Sequence, residues 1–219
     1  MRIRNRRRFI SFLIIIFIVI VGIVIFKDSG LGRRLFGGEN LVLVNRESKL
    51  DSDYNIKDLT IPNVRFSKRC LEEEKQMKED GAKALEKLFI AAEKDGVTLY
   101  ANSGFRSEKS QVNIIKDSLN KKGKEYTDKF VAKAGHSEHQ TGLSMDITNS
   151  SRNFHRDSIE AKWLRENAHK YGFILRYPEG KENITGYNYE PWHIRYVGKT
   201  PAAKINKSGV VLEEYLQGK

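Results

Sequence analysis

The sequence predicts an α+β fold, a small antiparallel sheet flanked by helices, in one domain behind an N-terminal transmembrane helix. Three observations carry this expectation. An 18-residue apolar run near the N-terminus is interrupted only by Ser11 and Gly22. The roughly 180 residues that follow suit one compact domain and contain no internal repeat or low-complexity tract. Within them, helical and strand patterns mix without the regular βαβ alternation of a doubly wound sheet.

Residues 1–8 carry five arginines (Arg2, Arg4, Arg6, Arg7 and Arg8) and read as a cytosolic basic segment. Residues 9–26 follow as a transmembrane signal-anchor. As a helix this run is roughly 27 Å long, enough to span the hydrocarbon core with help from its flanks. The basic flank predicts a cytosolic N-terminus and a body on the far side of the membrane. A cleavable signal has a shorter apolar core followed by an A-x-A-like site. Here the run is longer and Lys27-Asp28-Ser29-Gly30 is a poor site, so a retained anchor is expected. No cysteine lies near the end of the run, which excludes lipoprotein processing. Residues 27–40 form a flexible stalk, glycine-rich from Gly30 to Gly38, and residues 41–219 form the domain.

Leu41 to Val44 reads as a short strand entering the fold. Residues 68–95 are helix-like: Leu71, Met77, Ala82, Leu85, Leu88, Phe89 and Ala92 fall near helical spacing, and Gly96 is a stop. Gly81 weakens the middle of this stretch and is a point where it divides. Residues 97–101 are a strand candidate ending at Ser103-Gly104. Residues 107–120 and 125–133 read as two helices separated by Lys121-Lys122-Gly123. Leu143 to Thr148 alternates as a strand, Ser158 to Tyr171 is a helix closed by Gly172, and residues 173–176 and 192–197 are further strands. A short helix over 201–207 completes the chain.

The formal net charge is +11, and a basic surplus remains when the five N-terminal arginines are set aside. Such a surface favours anionic surroundings, including wall polymers and lipid headgroups. Nucleic acid is not an expected partner, since the domain is read as exported and no basic-aromatic binding motif is present. Cys70 is the only cysteine, so no disulfide forms within the chain, and it reads as a partly buried residue without chemical importance.

Two stretches carry the chemistry. In the strand candidate, Leu143, Met145 and Ile147 share one face while Ser144, Asp146 and Thr148 share the other. That places Asp146 on a cleft floor. His139 precedes it across Gln140-Thr141-Gly142, where the glycine permits a tight turn that could bring His139 and Asp146 onto one metal. In the second stretch, His193 emerges on the face opposite Trp192, Ile194 and Tyr196, with Glu190 three residues upstream. Two imidazoles and a carboxylate leave one position open, as in a catalytic zinc site, and a chain with one cysteine cannot build a closed thiolate-rich site. A carboxylate placed like Glu190 can take the proton of a water that attacks a carbonyl.

The chain resembles the zinc D-alanyl-D-alanine carboxypeptidase family of VanY type, whose signature is S-x-H-x-x-G-x-x-x-D followed by E-x-W-H. Here these are Ser137-Glu138-His139-Gln140-Thr141-Gly142-Leu143-Ser144-Met145-Asp146 and Glu190-Pro191-Trp192-His193. Residues 103–107, 171–178 and 184–187 also look like the family, and the similarity covers about residues 41–217. The resemblance implies one zinc per chain held by His139, Asp146 and His193, with Glu190 as base and Arg106 facing the scissile carbonyl. It implies that Ser137 and Gln111 are polar groups near the substrate. Ser144 departs from the alanine common two residues before the aspartate.

The implied activity is removal of the C-terminal D-alanine from peptidoglycan stem peptides outside the membrane. The alternatives are an L,D-carboxypeptidase acting on the tetrapeptide stem, and a non-catalytic wall-binding module. His136 reads as a rim residue, and His155 and His169 as surface histidines.

Overall fold

The protein is described by a computed structural model that covers residues 38–52, 54 and 56–218. The basic segment, the apolar run 9–26 and nearly all of the stalk lie outside the described residues. Among those described, no helix is long and apolar enough to cross a membrane. A 3₁₀ turn, Glu39–Leu41, belongs to a short N-terminal unit, and the body runs from Val42 onward.

The body is α+β. Its chain order is β1 (Leu59–Thr60), β2 (Met77–Lys78), α1 (Glu79–Lys94), β3 (Tyr100–Ser103), α2 (Glu108–Phe130) and β4 (Ser144–Thr148). There follow α3 (Ile159–Asn167), β5 (Phe173–Leu175), α4 (Glu182–Thr185), β6 (His193–Tyr196), α5 (Lys199–Ser208) and α6 (Leu212–Leu216). The main sheet has the order β3-β4-β6-β5 with every pairing antiparallel, and β1 and β2 form a separate small antiparallel pair. This is the small antiparallel sheet with helices that the sequence predicts.

One apolar core lies against one face of this sheet. Met145, Ile147 and Ile194 from β4 and β6 meet Leu85, Leu88, Phe89 and Ala92 of α1 and Trp163 and Leu164 of α3. Burial of such side chains contributes on the order of 1.5–3 kcal/mol each, so the alternation of β4 fixes which face is core. The other face of β4 and β6 is left to line a cleft.

Several boundaries differ from expectation for local physical reasons. Residues 42–44 form no strand. Asn45 Oδ1 turns the chain by accepting from the Glu47 and Ser48 amides (3.0 and 2.8 Å), and Arg195 Nη2, rather than a neighbouring strand, donates to the Val42 carbonyl (2.7 Å). The stretch 68–95 does not run as one helix. A 3₁₀ turn at Glu73–Lys75 gives way to β2, and α1 begins only at Glu79, so the division precedes Gly81. The separation at Lys121-Lys122-Gly123 is real. Gly123 has φ 78° and ψ 174°, and the Ser118 and Thr127 hydroxyls meet at 2.8 Å, so α2 is two arms folded back on each other.

Candidate active site

The site is assembled by strand register. Asp146 and His193 are direct cross-strand partners in β4 and β6, and Ser103 of β3 stands opposite Asp146 on its other side. His139 arrives from the 3₁₀ turn Glu138–Thr141, which Gly142 ends in the left-handed region at φ 69°, a conformation costly for residues with a Cβ. Gly104 serves a different need. A Cβ there would lie 2.5 Å from the Gln76 carbonyl oxygen, so only glycine lets this backbone close in. The Gly104 carbonyl then accepts from His139 Nδ1 at 2.7 Å.

That hydrogen bond leaves His139 Nε2 facing Asp146 Oδ2 at 3.5 Å, while His193 Nδ1 stands 3.1 Å from Asp146 Oδ1. These spacings bracket the edge of about 3.3 Å expected between donors of a tetrahedral zinc site with bonds of ~2.0–2.1 Å. Asp146 Oδ1 is buried and has no hydrogen-bond partner among the described residues. Among the described residues His139, Asp146 and His193 form the one metal-capable cluster, their donor atoms all within 4.8 Å of one another. A convergent N₂O set with an orphaned carboxylate oxygen fits a zinc ion.

The electrostatics agree. Burial would push the Asp146 carboxyl up, but the two imidazoles hold it well below the usual carboxylate range. Burial lowers His139 to about 4, with the Arg106 cation adding to the effect. Burial also opposes the charge of His193, yet Asp146 and Glu138 outweigh it and raise this imidazole to about 9.

The other expected residues line the same cleft of about 650 Å³. Glu190 is buried, with Oε2 3.8 Å from His193 Nδ1, and burial raises its carboxyl to about 7. Arg106 is held on several sides: Nε donates to Ser103 Oγ (3.0 Å), Nη1 to Gln111 Oε1 (3.3 Å) and Nη2 to Asp146 Oδ2 (3.3 Å). Gln111 is committed at both ends, since its Nε2 also donates to the Ala132 carbonyl (2.8 Å). It therefore braces Arg106 and keeps one N–H and one oxygen lone pair for a ligand in the cleft. Ser137 is buried in the cleft wall, and its side chain caps nothing.

Sequence reasoning missed the charge cluster beneath His193. Glu138 is wholly buried and accepts from Arg176 Nε and Arg195 Nη1, each at 2.7 Å. Arg176 also makes a two-pronged pair with Glu213 (2.6 and 2.8 Å). The available signal was an arginine in each of two largely apolar strand stretches, at 176 and 195, which is unusual unless the charge is paired. Tyr187 was also missed as a site residue; it lines the cleft with a buried hydroxyl that has no hydrogen bond.

Among the described residues, the remaining histidines lie outside this cluster. His136 Nδ1 bonds the Asn45 carbonyl (2.9 Å) and ties down the N-terminal segment. His155 is exposed and His169 partly exposed, as expected of surface histidines. Cys70 is buried, which pushes its thiol up to about 11 and leaves it unreactive.

Comparison with known proteins adds independent findings. The family model described as VanY, D-alanyl-D-alanine carboxypeptidase, matches residues 74–199. YodJ of Bacillus subtilis (strain 168) is 43% identical over 182 residues, covering 81% of this chain and 67% of its own length. A D-alanyl-D-alanine carboxypeptidase of Enterococcus faecium is 37% identical over 177 residues, 81% of this chain, which spans about half (51%) of that protein. Among solved structures, the LdcB LD-carboxypeptidase superposes with a TM-score of 0.74 at 43% identity, over 82% of this chain and 86% of its own. A variant of the D,D-pentapeptidase VanY from a VanB-type resistance cassette, in complex with Zn(II), gives 0.69 at 34% identity, over 81% and 99%.

Proposed function

The chain belongs to the VanY D-alanyl-D-alanine carboxypeptidase family, and from that premise we propose that it is a zinc carboxypeptidase removing the C-terminal D-alanine from peptidoglycan stem peptides. The observation that carries this reading is the convergence of His139, Asp146 and His193 in one cleft with Glu190 and Arg106. A binding module has no need of a metal set and a buried, near-neutral carboxylate together.

His139 Nε2, His193 Nδ1 and the Asp146 carboxylate would hold the ion. When bound, zinc supplies a Lewis acid that polarises a carbonyl and acidifies water. Glu190, raised to about 7 by burial, takes the proton of the attacking water near neutral pH. It then returns that proton to the leaving amine of D-alanine as the peptide bond breaks. Arg106, braced by Ser103 and Gln111, places a cation in the cleft where charge develops on the scissile oxygen. Ser137 offers a hydroxyl to the terminal carboxylate of the substrate.

Two stereochemical readings remain, and a specific observation favours each. The Enterococcus faecium relative is a D-alanyl-D-alanine carboxypeptidase, whereas LdcB, at 43% identity, is an LD-carboxypeptidase. We take the D,D bond as the target. The test is release of D-alanine from a stem pentapeptide, its tetrapeptide and its C-terminal amide, with and without a chelator. Faster cleavage of the pentapeptide supports the D,D reading and faster cleavage of the tetrapeptide the L,D reading. Equal cleavage of the amide refutes recognition of a free C-terminus.

The arginine cluster and the apolar run 9–26 support placing this domain outside the membrane on a retained anchor. Protease added to wall-stripped cells should digest the domain and spare residues 1–8. A mature N-terminus beyond residue 27 would sink the anchor.

A further inference from the structure

His193 and His139 present opposite nitrogens to the centre of the site. His139 uses Nε2, because Nδ1 donates to the Gly104 carbonyl at 2.7 Å. His193 uses Nδ1, which faces Asp146 and Glu190, so its Nε2 points the other way. A neutral imidazole carries one proton. If Nδ1 is to offer a lone pair, the proton must sit on Nε2 and needs an acceptor there. The group facing Nε2 is Glu138 Oε2, at 3.4 Å.

Glu138 is held in place for that task. It is wholly shielded from solvent, and its second oxygen is gripped by Arg176 and Arg195, both also fully buried. Ser144 Oγ donates to Oε2 at 3.2 Å and holds the oxygen that His193 meets. A buried carboxylate between two guanidiniums stays ionised and can only accept hydrogen bonds, so it admits one tautomer of His193. The grip reaches the two ends of the domain. Arg176 bonds Glu213 of α6, Asn45 Nδ2 bonds the same carboxylate at 3.1 Å, and Arg195 bonds the Val42 carbonyl. Val42, Asn45 and Glu213 all lie outside residues 74–199.

We infer that Glu138, clamped by Arg176 and Arg195, is a positioning residue that sets the tautomer and ring orientation of His193 for metal binding. The inference rests on the reading of His193 as a zinc ligand. Glu138 acts through His193, so its effect is read first in metal affinity, for which loss of such a partner costs about ten- to a hundredfold.

The test is zinc affinity of the full-length chain in detergent, measured by competition with a chromogenic chelator, alongside thermal unfolding. Glu138→Asp keeps the charge for the arginines but draws the carboxylate back from His193. It should stay folded and bind zinc about ten- to a hundredfold more weakly. Glu138→Gln should weaken binding similarly, because an amide can present a donor to Nε2. Glu213→Gln breaks the same buried cluster without touching His193. It should lose stability yet hold zinc as the wild type does.

Wild-type zinc affinity in a folded Glu138→Asp or Glu138→Gln protein overturns the inference. So does failure of both to fold while Glu213→Gln folds, which would make Glu138 a residue of the fold alone. A wild-type chain that binds no zinc would instead remove the metal reading itself.

Discussion

Changing the pH of a zinc titration perturbs His193 before the other ligands, and the effect can be worked from the site. In the metal-free protein this imidazole is raised to about 9, so at pH 7 it is almost wholly protonated and Nδ1 has no lone pair to give. His139, lowered to about 4, is already neutral, and Asp146 is already ionised. Zinc uptake at pH 7 should therefore expel about one proton from His193. Glu190, at about 7, is half protonated, and a nearby cation favours its ionised form, adding up to about half a proton. Since the raised group must lose its proton to bind, affinity rises with pH up to about 9 and then levels. Below that point protonation of His193 alone weakens zinc about tenfold, or ~1.4 kcal/mol, per pH unit, and Glu190 steepens the fall below about pH 7. Calorimetric titration at pH 7 in two buffers of different ionisation enthalpy counts the protons directly. Zero proton release, or an affinity flat between about pH 6 and 8, would refute this account of the ligand environment.

Other expectations follow from individual contacts. Arg106→Ala should lower turnover by roughly a hundred- to a thousandfold, the range for a lost oxyanion donor, and leave zinc bound; kinetics and metal analysis on one preparation check both. Tyr187→Phe removes a buried hydroxyl without a partner and keeps a ring beside Tyr177 and Arg46. Thermal unfolding should therefore show unchanged or slightly greater stability, and a fall of several degrees would mean the hydroxyl is bonded. Gly104→Ala places a Cβ 2.5 Å from the Gln76 carbonyl and 2.7 Å from that of Glu74. It should destabilise by about 1–3 kcal/mol and weaken zinc, because the Gly104 carbonyl orients His139; denaturant unfolding and chelator competition read the two effects.

Much of this site is legible in the sequence because its placement is local. Alternation in 143–148 and 192–197 assigns Asp146 and His193 to the cleft face, and Gly142 marks the turn that returns His139 toward the strand. Gly123 likewise announces the fold-back of α2. What was not legible depends on partners far apart in the chain. Glu138 meets Arg176 and Arg195 across 38 and 57 residues, and no local period encodes such a pair. Leu41 to Val44 has the composition of a strand, but the Asn45 turn and the Arg195 side chain take up its backbone groups. The pair β1 and β2, two residues each, is too short to leave a pattern, and α6 escaped notice because only five residues form it.

Glu190 is proposed to transfer protons beside a metal it does not hold. Its most direct test is Glu190→Gln, with zinc content and release of D-alanine from a stem pentapeptide measured on the same preparation. One zinc per chain is expected, as in the wild type, with turnover reduced by roughly a hundredfold or more. Near-normal turnover with zinc retained would contradict it and move the base elsewhere. Loss of zinc would contradict it differently, by making Glu190 a ligand.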